Sequence, residues 1–206
     1  MISAELPSTK EDKVDSVQTR PKVLLIGNSL LNRIYTEKLS KNFVTEKKQV
    51  YETKDAEETI NQAKPVECVM LHVLTNDVKK NTPTEVKENL EALITLTKRK
   101  MPRSKVIVSL CIPRSDDPEL NDKQQYVNRL LIKDLAKQED VSILHNKNFG
   151  RGHIPKYDLL APDNIHLNKK GAQMFAENIK QAVSEALHLP IKEQFQWHAK
   201  SPHRWY

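Results

Sequence analysis

Short apolar runs recur along the chain, separated by stretches whose apolar residues return at helical spacing. Lys22-Val23-Leu24-Leu25-Ile26 is too short for a helix and partly β-branched, as a parallel strand covered on both faces should be. Glu67-Cys68-Val69-Met70-Leu71-His72-Val73-Leu74, Lys105-Val106-Ile107-Val108-Ser109-Leu110-Cys111-Ile112 and Val141-Ser142-Ile143-Leu144 have the same character. Phe43-Val44 and Gln49-Val50-Tyr51 read as a more exposed strand at a sheet edge. Helices are predicted over about residues 30–39, 55–63, 82–101, 120–138 and 168–187. The third opens on the cap signature Thr82-Pro83-Thr84-Glu85, presents Val86, Leu90, Leu93 and Ile94 on one face, and is stopped by Pro102. Thr75-Asn76-Asp77, residues 113–118 and the stretch 146–162 with Gly150 and Gly152 read as loops.

Strands alternating with helices in this way call for a three-layer α/β/α sandwich around a mostly parallel, flavodoxin-like sheet of about five strands. Ligands of such sheets bind at the C-terminal strand ends. The turn after the first strand, Thr75-Asn76-Asp77 and residues 113–118 all fall on that edge. Residues 1–21 lack apolar periodicity and read as a flexible leader, residues 22–189 as the domain, and residues 190–206 as a basic and aromatic tail with Phe195, Trp197, Trp205 and Tyr206.

Composition narrows this only slightly. A chain of 206 residues can bury a core without disulfides or metal. Cys68 and Cys111 lie in apolar runs, where free cysteine behaves as a small hydrophobe. No apolar stretch has signal-peptide or membrane-spanning length, so a cytoplasmic location away from membranes is expected. The net charge of +6 leaves room for an anionic partner beside the usual role of lysine in solubility. Oligomeric state is left open.

The candidate chemistry starts at Gly27-Asn28-Ser29. A serine after a glycine turn at a strand end either caps the next element or is a nucleophile. Asp163-Asn164-Ile165-His166 precedes the last helix, where the acid either caps that helix or orients the histidine. His72 reads as a core histidine, since no metal-ligand set accompanies it; His145 and His153 receive no role.

A serine after the first strand, Asn-Asp after the third and Asp-x-x-His before the last helix together resemble the SGNH/GDSL hydrolase family over about residues 22–187. Gly27-Asn28-Ser29 looks like the family's Gly-Asp-Ser block, Leu74-Thr75-Asn76-Asp77 like its Gly-x-Asn-Asp block, and Asp163 with His166 like its closing block. The resemblance implies Ser29 as nucleophile, His166 as general base, Asp163 as its orienting acid, and the Ser29 N–H with Asn76 as oxyanion donors. It implies an esterase or deacetylase working through an acyl-enzyme on a small-molecule or carbohydrate ester, without metal or cofactor. Asn28 replaces the family's aspartate and Leu74 its glycine. A further family glycine, which supplies an oxyanion N–H, is missing: none occurs between Gly27 and Gly150, and its apparent place lies near Asp55-Ala56, where a carboxylate would oppose an oxyanion.

An alternative of another class rests on charge. Arg33, Lys79, Lys80, Arg114, Arg151, Lys156, Lys169 and Lys170 fall in elements near the expected site and form a candidate RNA- or anion-binding rim, with the aromatic tail as a stacking surface. By family resemblance this would be a catalytically weakened RNA-binding module, either like the C-terminal domain of the insect protein Oskar or derived from a LINE retrotransposon.

Overall fold

A computed structural model describes residues 19–190. Most of the expected leader and all but the first residue of the tail therefore lie outside the described residues. The strands are β1 (Lys22–Gly27), β2 (Val44–Gln49), β3 (Cys68–His72), β4 (Lys105–Ser109) and β5 (Val141–Leu144). They form one all-parallel sheet in the order β2-β1-β3-β4-β5. The α-helices are α1 (Thr53–Gln62), α2 (Leu74–Lys80), α3 (Pro83–Lys100), α4 (Pro118–Leu135) and α5 (Lys169–Ala186).

The alternation of side chains along the buried strands divides the core in two. Leu24, Ile26, Val69, Leu71, Val106 and Val108 pack with Ala56 and Ile60 of α1, Val86 and Leu90 of α3, and Val127 and Leu131 of α4. Val23, Leu25, Met70 and Ile107 face the other way, onto Phe175, Ile179 and Val183 of α5 and onto Leu31, Ile34 and Leu39. Each central strand thus buries both faces, which is why the runs are continuously apolar. β2 differs. Among the described residues it pairs only with β1, and Glu46, Lys47 and Lys48 occupy its middle.

Two sequence expectations are corrected. The helix over residues 30–39 is not an α-helix: the chain forms two 3₁₀ turns, Ser29–Leu31 and Thr36–Lys38, with an open stretch between them. Lys47 Nζ donates to the carbonyls of Leu31 and Ile34 at 2.9 and 3.0 Å, taking acceptors that a continuing helix would satisfy internally. The Thr75-Asn76-Asp77 loop lies instead inside α2. Asp77 is buried there, and its carboxylate accepts the Thr53 N–H at 3.1 Å, so a tertiary bond fixes a segment that local preference would leave irregular. The loop over residues 146–162 also contains a small hairpin of Gly150–Arg151 with Ile154–Pro155.

The order 2-1-3-4-5 reverses direction between β1 and β3, and a crevice opens at such a switch point. Ser29 follows β1 and Asn76 follows β3, so the topology brings both to that crevice.

Candidate active site

The Ser29 turn is fixed from below. A Cβ on Gly27 would stand 2.8 Å from the His72 carbonyl oxygen and from Leu31 Cδ1, so only glycine lets β1 end this close to β3. The Asn28 N–H donates to the His72 carbonyl at 3.2 Å, and the Asn28 side chain accepts the Leu30 N–H at 3.0 Å. The aspartate-to-asparagine change therefore keeps the cap.

The histidine comes from a tight loop. The Ala161 N–H donates to the His166 carbonyl at 2.7 Å, and Asn164 adopts a left-handed conformation at φ 58°, which asparagine tolerates. One carboxylate organises this loop: Asp163 Oδ1 accepts the N–H groups of Ile165 and His166 at 3.0 and 2.9 Å, and its Oδ2 meets His166 Nδ1 at 2.7 Å. Burial pushes the Asp163 carboxyl up, but those two N–H groups and the imidazole together outweigh it and bring its pKa down to about 2. An ionised carboxylate only accepts, so the ring proton sits on Nδ1 and Nε2 presents a lone pair. That nitrogen lies 2.9 Å from Ser29 Oγ.

Behind this loop, Asn168 caps α5 through the Gly171 N–H and holds the Asp158 and Leu160 carbonyls. A Cβ on Gly171 would fall 2.2 Å from the Leu159 carbonyl oxygen, so α5 and the loop approach at glycine distance. Arg33 Nη1 donates to the Leu167 carbonyl at 3.1 Å and ties the serine segment to the histidine segment.

Two cavities meet at Ser29 and His166. The larger, of about 750 Å³, is lined by Asn28, Gln49, Val50, Tyr51, Asp55, Thr75, Asn76, Lys79, Arg114 and Ile165 as well. The smaller, of about 200 Å³, adds Asn32, Arg33, Ala161, Asp163 and Leu167. Asn76 Nδ2 donates to the Tyr51 carbonyl at 2.9 Å, which orients the amide and leaves it a second N–H. The missing glycine's neighbourhood is occupied as the sequence suggested: Asp55 lines the cavity, and its Oδ2 accepts the Tyr51 and Glu52 N–H groups at 3.0 Å each.

The expected basic rim is divided. Lys79 and Arg114 line the larger cavity and Arg33 the smaller. Arg114 is not a rim residue at all, being buried and paired with Asp116. Lys80 pairs with Glu52 and Lys170 with Asp158, while Arg151, Lys156 and Lys169 are exposed and line neither cavity. Sequence reading missed the inward turn of Arg114, and only the flanking prolines and isoleucine hinted that this loop packs inside. His72 is the core histidine expected, stacked at a tilt on Phe175, with Nδ1 2.9 Å from Ser109 Oγ. Burial pushes both cysteine thiols up to about 12, so neither is a thiolate. Among the described residues no cluster of three metal-binding side chains occurs, and no described helix is long and apolar enough to cross a membrane.

This architecture, with a serine, histidine and aspartate converging at a parallel-sheet switch point, is that of an α/β hydrolytic domain. Residues 28–174 match the GDSL-like Lipase/Acylhydrolase family, and the chain belongs to that family. It is 27% identical over 198 residues to the human platelet-activating factor acetylhydrolase IB subunit alpha2, covering 88% of this chain and 84% of that protein. It is 29% identical over 123 residues to the Drosophila melanogaster platelet-activating factor acetylhydrolase IB subunit beta homolog, covering 58% of this chain and only 53% of that protein. A GDSL-like lipase from Bacteroides thetaiotaomicron has the same fold, with a TM-score of 0.64 at 19% identity over 81% of this chain and 89% of the other.

Proposed function

We propose that this hydrolase is a serine esterase that removes short acyl groups, acetyl foremost, through an acyl-enzyme. The observation that carries the reading is the 2.9 Å contact between Ser29 Oγ and His166 Nε2, made across 137 positions of chain and continued to Asp163. The Ser29 oxygen attacks the ester carbonyl carbon while its proton passes to His166 Nε2. Asp163 stabilises the imidazolium and holds its orientation. The negative charge on the carbonyl oxygen is met by the Ser29 N–H and the second N–H of Asn76, donors of a kind that contribute about 3 kcal/mol each to a transition state. Collapse expels the alcohol with the proton from His166, and water then repeats the sequence on the acyl-serine. The acetylhydrolase relatives favour acetyl as the acyl group.

Purified protein should hydrolyse p-nitrophenyl acetate and be labelled at Ser29 by a fluorophosphonate, and Ser29→Ala or His166→Ala should abolish both. Folded protein that neither turns over the ester nor takes the label would refute this reading.

A further inference from the structure

Asn76 and Asp77 are consecutive on α2, and both reach the same short piece of chain. Asn76 Nδ2 donates to the Tyr51 carbonyl at 2.9 Å, and Asp77 Oδ2 accepts the Thr53 N–H at 3.1 Å. A single hydrogen bond would let residues 51–53 pivot against the helix, whereas a donor and an acceptor side by side fix both their distance and their rotation. The two side chains differ in exposure. Asn76 lines the larger cavity, while Asp77 is 4% exposed and lines neither cavity. Burial raises the Asp77 carboxyl above its usual range despite the Thr53 bond. A carboxyl is costly to keep inside, so one that stays there has a structural use. At the surface Lys80, one turn further along α2, pairs with Glu52 and lies 5.4 Å from the centroid of the Tyr51 ring, so the same piece of chain is gripped from within and from without.

We propose that Asp77 is a positioning residue for the oxyanion site: by holding Thr53 it sets the Tyr51 carbonyl, which in turn aims the second N–H of Asn76 at the developing negative charge. Asp77 itself touches neither the substrate nor the reacting atoms. The inference deepens the esterase reading, on which its kinetic arm rests. An oxyanion donor acts only at the right distance, and a displacement of about 1 Å can cost about 10²-fold in rate. The bond can also be deleted from its donor side. Thr53 is the first residue of α1, the position at which α3 and α4 carry Pro83 and Pro118, and Glu52 before it is extended at φ −132° and ψ 170°, as a residue preceding proline should be.

On p-nitrophenyl acetate, Asp77→Ala and Thr53→Pro should each lower kcat by about tenfold to 10²-fold with KM held within about twofold. Asp77→Asn, whose amide oxygen still accepts the Thr53 N–H, should recover most of that loss. The loss should also disappear when Asp77→Ala is made in Asn76→Ala protein, because a residue that acts through Asn76 then has nothing left to aim. No loss in kcat, or an equal loss in both backgrounds, overturns the inference. Should Asp77→Ala fail to fold, Thr53→Pro and Asp77→Asn carry the same comparison.

A second arm needs no turnover. In amide NMR spectra the Asn76 side chain should show one N–H held by the Tyr51 carbonyl. Asp77→Ala or Thr53→Pro should shift that resonance and speed its exchange with water, and Asp77→Asn should leave it close to its place in the wild type. That result in protein without ester turnover supports the positioning role and sinks the esterase reading alone. An Asn76 amide unmoved by Asp77→Ala and Thr53→Pro overturns the inference and leaves the esterase reading standing.

Discussion

The two flanks of Ser29 are built differently. On the base flank a single short loop, residues 161–166, supplies both the imidazole and the carboxylate that orients it, and the same carboxylate ties up the loop's own N–H groups. On the oxyanion flank, Asn76 comes from α2 and the Tyr51–Asp55 segment from the start of α1, and their polar groups are engaged with one another. In the first flank the pairing of imidazole and carboxylate is local, and only the contact with Ser29 is long-range. The second depends on a long-range fit, and the Asp55 carboxylate that lines the same cavity holds the Tyr51 and Glu52 N–H groups.

The largest effect that separates the flanks is at the base side. Ser29→Ala and His166→Ala should each lower kcat by roughly 10⁴-fold or more, as for groups that act as a unit, measured by ester turnover on protein with an unchanged melting profile. Asn76→Ala should cost about 10²–10³-fold in kcat with little change in KM, because the amide works on charge that appears only in the transition state. An Asn76→Ala loss no larger than twofold would mean that the oxyanion flank contributes little.

The Ser29 turn between the flanks rests on His72, whose carbonyl accepts the Asn28 N–H, so the integrity of that floor can be tested through pH. Burial lowers the His72 pKa from 6.5 to about 4, against a smaller upward pull from the Ser109 bond. Between those values the unfolded chain binds more protons than the folded one. The stabilisation is thus fully present above about pH 6.5 and lost as the pH falls toward about 4, to the extent of about 3 kcal/mol. Urea unfolding of the wild type from pH 7.5 to 4.5 should show this slope, and His72→Gln should flatten it. The smallest expected effect sharpens the comparison most. Asp55→Ala should raise kcat a few-fold by releasing the Tyr51 and Glu52 N–H groups, while removal of the α1 cap lowers stability by about 1 kcal/mol. A fall in kcat would show that the carboxylate serves the site.

The same contrast governs what the sequence revealed. β1, β3 and β4 were legible because strands buried on both faces are continuous apolar runs, and α3 to α5 because their apolar residues repeat at helical spacing. Asp163 and His166 were legible as a pair because three positions separate them, whereas their meeting with Ser29 across 137 positions was suggested only by the order of motifs that the family resemblance supplied. The segment after Ser29 misled because Leu30, Leu31, Ile34 and Leu39 have helical spacing, yet Lys47 from another strand competes for its carbonyls. The α2 helix was hidden because Asp77 finds its partner at Thr53, and the engagement of Asn76 because Tyr51 lies 25 positions away. Burial of Arg114 depends on Asn121, Asn164 and the packing of a separate loop, none of which has a periodic signature.

The charged middle of β2 has one more consequence. A parallel sheet that ends in an open strand offers a row of unpaired N–H and C=O groups to any other extended chain, and a second copy would be the nearest candidate. Glu46, Lys47 and Lys48 lie on that margin, Lys48 paired to Glu46 and Lys47 turned inward onto the serine segment. A copy adding in parallel register would stack these ammonium and carboxylate groups on their own kind. The strand that steadies the Ser29 turn thus also guards against self-templated growth, and making Glu46 and Lys48 valine would turn the sheet margin into an aggregation seed.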